Sequence, residues 1–143
     1  MAVALKIGSW LCATFVIFSA IVWLVGGFLV TNALSNDAGS TVSGLDLIPA
    51  TFWPARAVVS AIGVVGAITL VLSRRAFFRA ITLWFALEIV LIGWLYASGF
   101  LASQFNNFES VRNLAVLQMC GLSVVLFAWV KHNTLYRPRI LQE

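Results

Sequence analysis

Charged side chains are scarce in this sequence. Only 10% of its 143 residues are Asp, Glu, Lys or Arg, whereas 62% are hydrophobic. A soluble domain usually carries about a quarter charged residues and fewer than half apolar ones. A water-soluble fold of this length cannot bury so much apolar surface, so we expect lipid to be the solvent of the chain. The composition predicts a single membrane domain.

Residues that bind metals or carry redox chemistry are also few. There is one histidine, His132, and the two cysteines, Cys12 and Cys120, do not form a CxxC pair. One histidine is too few for a bis-histidine haem held by this chain alone, and the spacing of a zinc site is missing. The sequence has no GxGxxG, P-loop or GxSxG motif. We therefore expect no enzymatic activity and no bound cofactor.

Four apolar runs are each long enough to cross a hydrocarbon core of about 30 Å. They cover approximately residues 9–30, 57–72, 80–102 and 113–130, separated by an outer loop at 31–56 and followed by a basic tail at 131–143. The first run is longer than the apolar region of a secretory signal, so we expect it to be retained as a span, with a cleaved signal as the alternative. The predicted fold is an all-α bundle of four transmembrane helices.

Two short segments of the sequence, before and within the second run, allow further structural predictions. Pro49 and Pro54 lie close together before the second run, which opposes a regular helix and predicts a loop at the headgroups with Trp53 as its anchor. Within the second run, Ser60, Gly63 and Ala67 fall on one helical face. Small residues allow helix backbones to approach closely, so this span is predicted to form the centre of the bundle.

The basic residues predict the orientation. Counted by side of the membrane, seven Lys and Arg residues fall with the two termini and only Arg56 and Arg112 fall opposite, which places both termini in the cytoplasm, in a bacterial inner membrane. The net charge of +4 therefore reflects topology, and we expect no nucleic-acid partner. Six of these seven residues form a candidate face for anionic lipids or an acidic partner: Arg74, Arg75, Arg79, Lys131, Arg137 and Arg139.

One acid lies inside an apolar run. Glu88 is about 12 Å from the cytoplasmic end of the third span, where a charged carboxylate is costly. Counting by depth places Ser19 and Ser123 at a similar level and places no Lys, Arg or His there. We therefore expect a protonated Glu88 that donates to a hydroxyl or a backbone carbonyl. Such a contact serves either helix packing or a proton- or cation-linked site.

Two functions from different classes follow from this pattern. The first is a non-catalytic accessory, structural or assembly subunit of a larger membrane complex, with the bilayer and other membrane subunits, or copies of itself, as partners. The second is a small oligomeric transporter or channel with Glu88 as its coupling group. A free-standing lipid-interacting or immunity-type protein is a third interpretation. The deep tryptophans Trp23, Trp84 and Trp94 are predicted to face lipid or another subunit rather than a water-filled pore.

Overall fold

The chain forms four helices in a computed structural model that describes residues 2–36, 51–99 and 108–136. These helices are α1 (Ala2–Asn36), α2 (Phe52–Val71), α3 (Phe77–Ala97) and α4 (Phe108–Tyr136). Each contains a segment long and apolar enough to span a membrane. The predicted all-α fold with four candidate spans is therefore confirmed. The middle of the predicted outer loop and the tail beyond Tyr136, including Arg137 and Arg139, lie outside the described residues.

The second helix begins earlier than predicted. It starts at Phe52, so Pro54 is its third residue and Arg56 lies one turn inside it. Proline is tolerated in the first turn of a helix because the N–H that it lacks would have no intrahelical partner there. The prediction that Pro54 belongs to an irregular loop is therefore wrong. This shift of about one turn brings Arg56 into the bundle.

The second helix is also the central one, as predicted. It packs along α1 on one side and along α3 on the other, while α4 packs mainly against α3. Ser60, Gly63 and Ala67 are all buried on α2. A Cβ atom added to Gly63 would come within 2.7 Å of the Trp84 ring and 3.2 Å of Val16. The absence of a side chain at Gly63 therefore allows α1 and α3 to approach α2 closely.

A tight turn joins α2 to α3. The N–H of Ser73 donates to Leu70 O and the N–H of Arg74 donates to Thr69 O, the hydrogen-bond pair of a Schellman helix end. Ser73 has a φ of +52°, a left-handed conformation for which glycine is the usual residue. Because the turn is this short, α2 and α3 run antiparallel and side chains along their lengths can meet. Arg74, Arg75 and Arg79 are exposed at this end of the bundle.

Candidate functional site

A buried ion pair joins α2 to α3. A guanidinium N–H of Arg56 donates to Oε2 of Glu88, and the two side chains are only 3% and 8% exposed. Glu88 lies roughly 16 Å along α3 from Phe77, and Arg56 lies roughly 22 Å along α2 from Val71. The difference in level, about 6 Å, is one that an extended arginine side chain can cover. Arg56 therefore reaches toward the middle of the bundle rather than toward its end.

Aromatic rings surround the arginine of this pair. The guanidinium carbon of Arg56 lies 4.5 Å from the centre of the Trp23 ring on α1, which is a cation–π geometry. One turn away, Phe52 is 1% exposed and meets Trp23, Trp53 and Trp94 edge to face. Arg56 thus contacts α1 through Trp23 and α3 through Glu88. The Trp23 ring therefore covers the guanidinium, and the contacts of Phe52 join rings of α1, α2 and α3 one turn away.

The ion pair corrects the expectation for Glu88. Depth counting placed no cation near this acid, and a protonated carboxyl group was predicted. The structure instead places the Arg56 guanidinium against the carboxyl group, so the partner of Oε2 is a cation and not the predicted hydroxyl or backbone carbonyl. Arg56 was overlooked because its backbone lies near the start of α2. The signal in the sequence was the proline two residues before it, since Pro54 is compatible with the first turn of a helix.

Ser19 and Gln118 lie around the same small cavity as Glu88. These three polar residues line a cavity of about 10 Å³, the space that about one water molecule requires. Oε1 of Glu88 and Oε1 of Gln118 are buried without a hydrogen-bond partner among the described residues. Ser123 is not part of this group. It is exposed on α4 and its hydroxyl donates to Met119 O, 2.9 Å away on the same helix.

A second buried cation lies at the end of the bundle that holds the α2–α3 turn. Nζ of Lys131 on α4 donates to Oγ of Ser9 on α1 at 2.7 Å and to Leu70 O on α2 at 2.6 Å. The ammonium also lies 5.4 Å from the centre of the Phe77 ring. Leu70 O belongs to the last turn of α2, where a cation complements the negative end of the helix dipole. This contact brings the start of α1, the end of α2 and the end of α4 together.

The sequence predicts that Lys131 lies on an exposed basic face, but the residue is buried and only 3% exposed. Of the residues predicted for that face, Arg74, Arg75 and Arg79 are exposed.

The tryptophans predicted to lie deep in the spans do not all face outward. Trp84 is 4% exposed and packs on Gly63, so the prediction that it faces lipid or another subunit is wrong.

The chemistry available within the described residues is that of packing and charge pairing. They contain no group of three or more His, Cys, Asp or Glu side chains that could hold a metal ion. Both buried cations have partners on other helices, and Cys12 and Cys120 are free thiols. Comparison of the chain with protein-family models, with curated proteins and with solved structures gives no match in any of the three cases.

Proposed function

We propose that this protein is a non-catalytic accessory, structural or assembly subunit of a larger membrane protein complex. It spans a bacterial inner membrane four times with both termini in the cytoplasm. The contact of Lys131 with Ser9 supports the shared side of the termini, because it places the start of α1 and the end of α4 at one end of the bundle. The exposed arginines of the α2–α3 turn lie at the same end, as the positive-inside rule requires for a cytoplasmic side.

The observation that carries this proposal is the pairing of Arg56 with Glu88. A carboxylate that couples transport must exchange its proton or cation during the cycle, so it needs access to water and a partner that it can release. Here the carboxylate is 8% exposed, bound to a guanidinium and bordered by a cavity of about 10 Å³. Such a pair fixes the register of α2 against α3. Its role in this proposal is to hold the subunit in one packing arrangement.

The outer surface of α4 is the face on which a partner subunit would dock. Only 17% of its spanning segment is buried within the chain, compared with 39% for α2. Met119 is 71% exposed, and the neighbouring Cys120 and Ser123 are exposed as well. Small and flexible side chains of this kind are common where membrane helices pack against one another.

Site-specific photocrosslinking in cells of the source organism tests this proposal. A photoreactive phenylalanine analogue placed at Met119 should form an adduct with a second membrane protein, identified by mass spectrometry. The matched control is Val58, which is 61% exposed and lies on α2, outside the proposed docking face on α4. Adducts from both positions with lipid alone, or with unrelated proteins in equal amounts, would contradict the subunit role.

A transporter or channel built from several copies is the second candidate, favoured by the unpartnered Oε1 atom of Glu88 beside Ser19 and Gln118. The purified protein in liposomes separates the two functions. Replacement of both charged residues, Arg56→Met with Glu88→Leu, removes any coupling carboxylate without leaving an unpaired charge. A transporter should lose its pH-dependent flux with this double variant, whereas a subunit should still form the Met119 adduct and show no flux in either form.

A further inference from the structure

The turn between α2 and α3 and the end of α4 border an open cavity that differs from the apolar grooves along the helices. Its volume is about 720 Å³, and its wall combines cationic, polar and apolar groups. The residues that line it, called the basic cavity from here on, are Arg75, Ala76, Phe78, Arg79, His132 and Tyr136. All of them lie at the ends of the candidate spans or in the turn between them. In a bilayer, this level is that of the lipid headgroups.

We propose that the basic cavity binds the phosphate of an anionic phospholipid headgroup. Two guanidinium groups and an imidazole share one wall, and arginine matches the geometry of a phosphate better than any other side chain. Arg75 and Arg79 are exposed and make no ion pair with an acid among the described residues. Within the described residues, their N–H groups are therefore available to a ligand.

The aromatic part of the wall holds these donors in place. Tyr136 donates its hydroxyl hydrogen to Ser73 O in the turn, and the guanidinium of Arg75 lies 5.7 Å from the centre of the Tyr136 ring. The His132 ring is packed between Phe78, with centroids 5.2 Å apart, and Tyr136, with centroids 5.4 Å apart. The end of α4 is thus tied to the turn. Arg75 and His132 have a defined position before any ligand binds, which lowers the entropy cost of binding.

A lipid fits this wall better than a soluble acidic protein does. The cationic groups lie beside Ala76 and Phe78 at the start of α3, so a ligand in the cavity meets both charge and apolar surface. A phospholipid presents these two properties at the same level, with its phosphate next to its acyl chains. The first turn of α3 also forms part of the wall, and its positive end favours an anion. The site does not depend on whether the protein is a subunit or a transporter.

The test is native mass spectrometry of the full chain purified in a mild detergent. Dioleoyl phosphatidylglycerol is the probe, and dioleoyl phosphatidylcholine, which has the same acyl chains but no net charge, is the reference lipid. We expect selective retention of phosphatidylglycerol. The variants Arg75→Gln and Arg79→Gln should each weaken it about tenfold or more, because each removes charge-assisted hydrogen bonds to the phosphate and a tenfold loss corresponds to about 1.4 kcal/mol.

Arg74→Gln is the matched control, because Arg74 is exposed in the same turn but does not line the basic cavity. It should weaken the retention of phosphatidylglycerol clearly less, by less than about twofold, because it removes no phosphate ligand and a detergent micelle has no anionic surface that acts on a charge outside the cavity. An equal effect of all three variants would show diffuse attraction between charges and would overturn the site. Helix content measured by circular dichroism should be unchanged, because the three arginines are exposed.

Two competitors separate the sources of the anion. Excess inorganic phosphate should not displace phosphatidylglycerol, because it lacks the apolar part of the ligand. Displacement by phosphate would show that the site binds free phosphate and not a lipid. A hexaglutamate peptide should not displace it either. If the peptide binds in an Arg75-dependent manner and the lipid does not, the cavity belongs to an acidic protein partner and the lipid proposal is wrong.

Discussion

Arg56 of α2 and Glu88 of α3 form an ion pair between two neighbouring helices, and both side chains are almost fully buried. The guanidinium of the same arginine lies over the ring of Trp23 on α1. Most of the surface around these helices is apolar, so either charge alone would be costly there. The pair therefore fixes how three of the four helices meet.

Removing the ring over Arg56 should weaken the bundle. Trp23→Leu deletes the cation–π contact, and we expect a loss of about 2 kcal/mol in the free energy of unfolding, since the cation is desolvated. Trp23→Phe should recover part of that loss because it restores an aromatic face. The control is Trp10→Leu on the same helix, where the ring is 56% exposed. Reversible unfolding in mixed detergent micelles measures the difference, and equal losses at the two tryptophans would argue against the contact.

Lys131 should be far more important for stability than the other lysine of the chain. Lys131→Met removes the hydrogen bonds to Ser9 and to Leu70 O, and we expect a loss of about 1.5–3 kcal/mol in the free energy of unfolding. Lys6→Met serves as the control because Lys6 is exposed on α1. It should stay within about 0.5 kcal/mol of the unchanged protein. If the two variants unfold alike, the contact between α4, α1 and α2 is not the one described.

The glycines of the spans should tolerate a methyl group very differently. Gly63→Ala places its new Cβ against the Trp84 ring and should cost about 1–3 kcal/mol through overpacking. Gly93→Ala has no atom within 4 Å of its new Cβ and should be neutral, or stabilise α3 by up to about 1 kcal/mol. Thermal unfolding of the two purified variants tests this contrast. A more damaging effect at Gly93 would mean that the tight approach of α2 to α3 is misplaced.

The sequence predicted much of this fold because its main features are averages over long segments. Four apolar runs identify four helices, and the spacing of Ser60, Gly63 and Ala67 identifies the face of α2 that packs closely. Both follow from the helical period and from the length of a bilayer. Helix ends are less well determined by such patterns. Pro54, which prevents a helix in its interior, is compatible with a first turn, and the start of α2 was therefore placed too late.

The partners of buried charges were harder to predict, because they depend on side-chain reach. Depth counting follows backbone positions, but the long side chain of Arg56 carries its charge toward Glu88. The same limitation applies to Lys131, whose place near the end of a span indicated an exposed cation. Its ammonium donates to a hydroxyl on α1 and to the Leu70 carbonyl at the end of α2, which also accepts the N–H of Ser73. Neither partner is close to it in the sequence.

The orientation of the chain can be tested independently of its stability. In a variant with Cys12 and Cys120 replaced by alanine, single cysteines introduced at Arg74 and near either terminus should react with a membrane-impermeant maleimide only after the cells are opened. A cysteine introduced in the connection between α3 and α4 should react in intact cells. This pattern follows from four spans with the arginine-rich turn in the cytoplasm. Reaction of the two termini from opposite sides would contradict it.

The central claim is that Arg56 and Glu88 stabilise the bundle as a pair, and a double-mutant cycle tests it most directly. Reversible unfolding in mixed micelles is measured for the unchanged protein, for Arg56→Met, for Glu88→Leu and for the double variant. Each single replacement should lose about 3–5 kcal/mol because it leaves one buried charge unpaired, and the double variant should lose less than either single one. If the two single losses simply add in the double variant, the residues do not act as a pair and the account is contradicted.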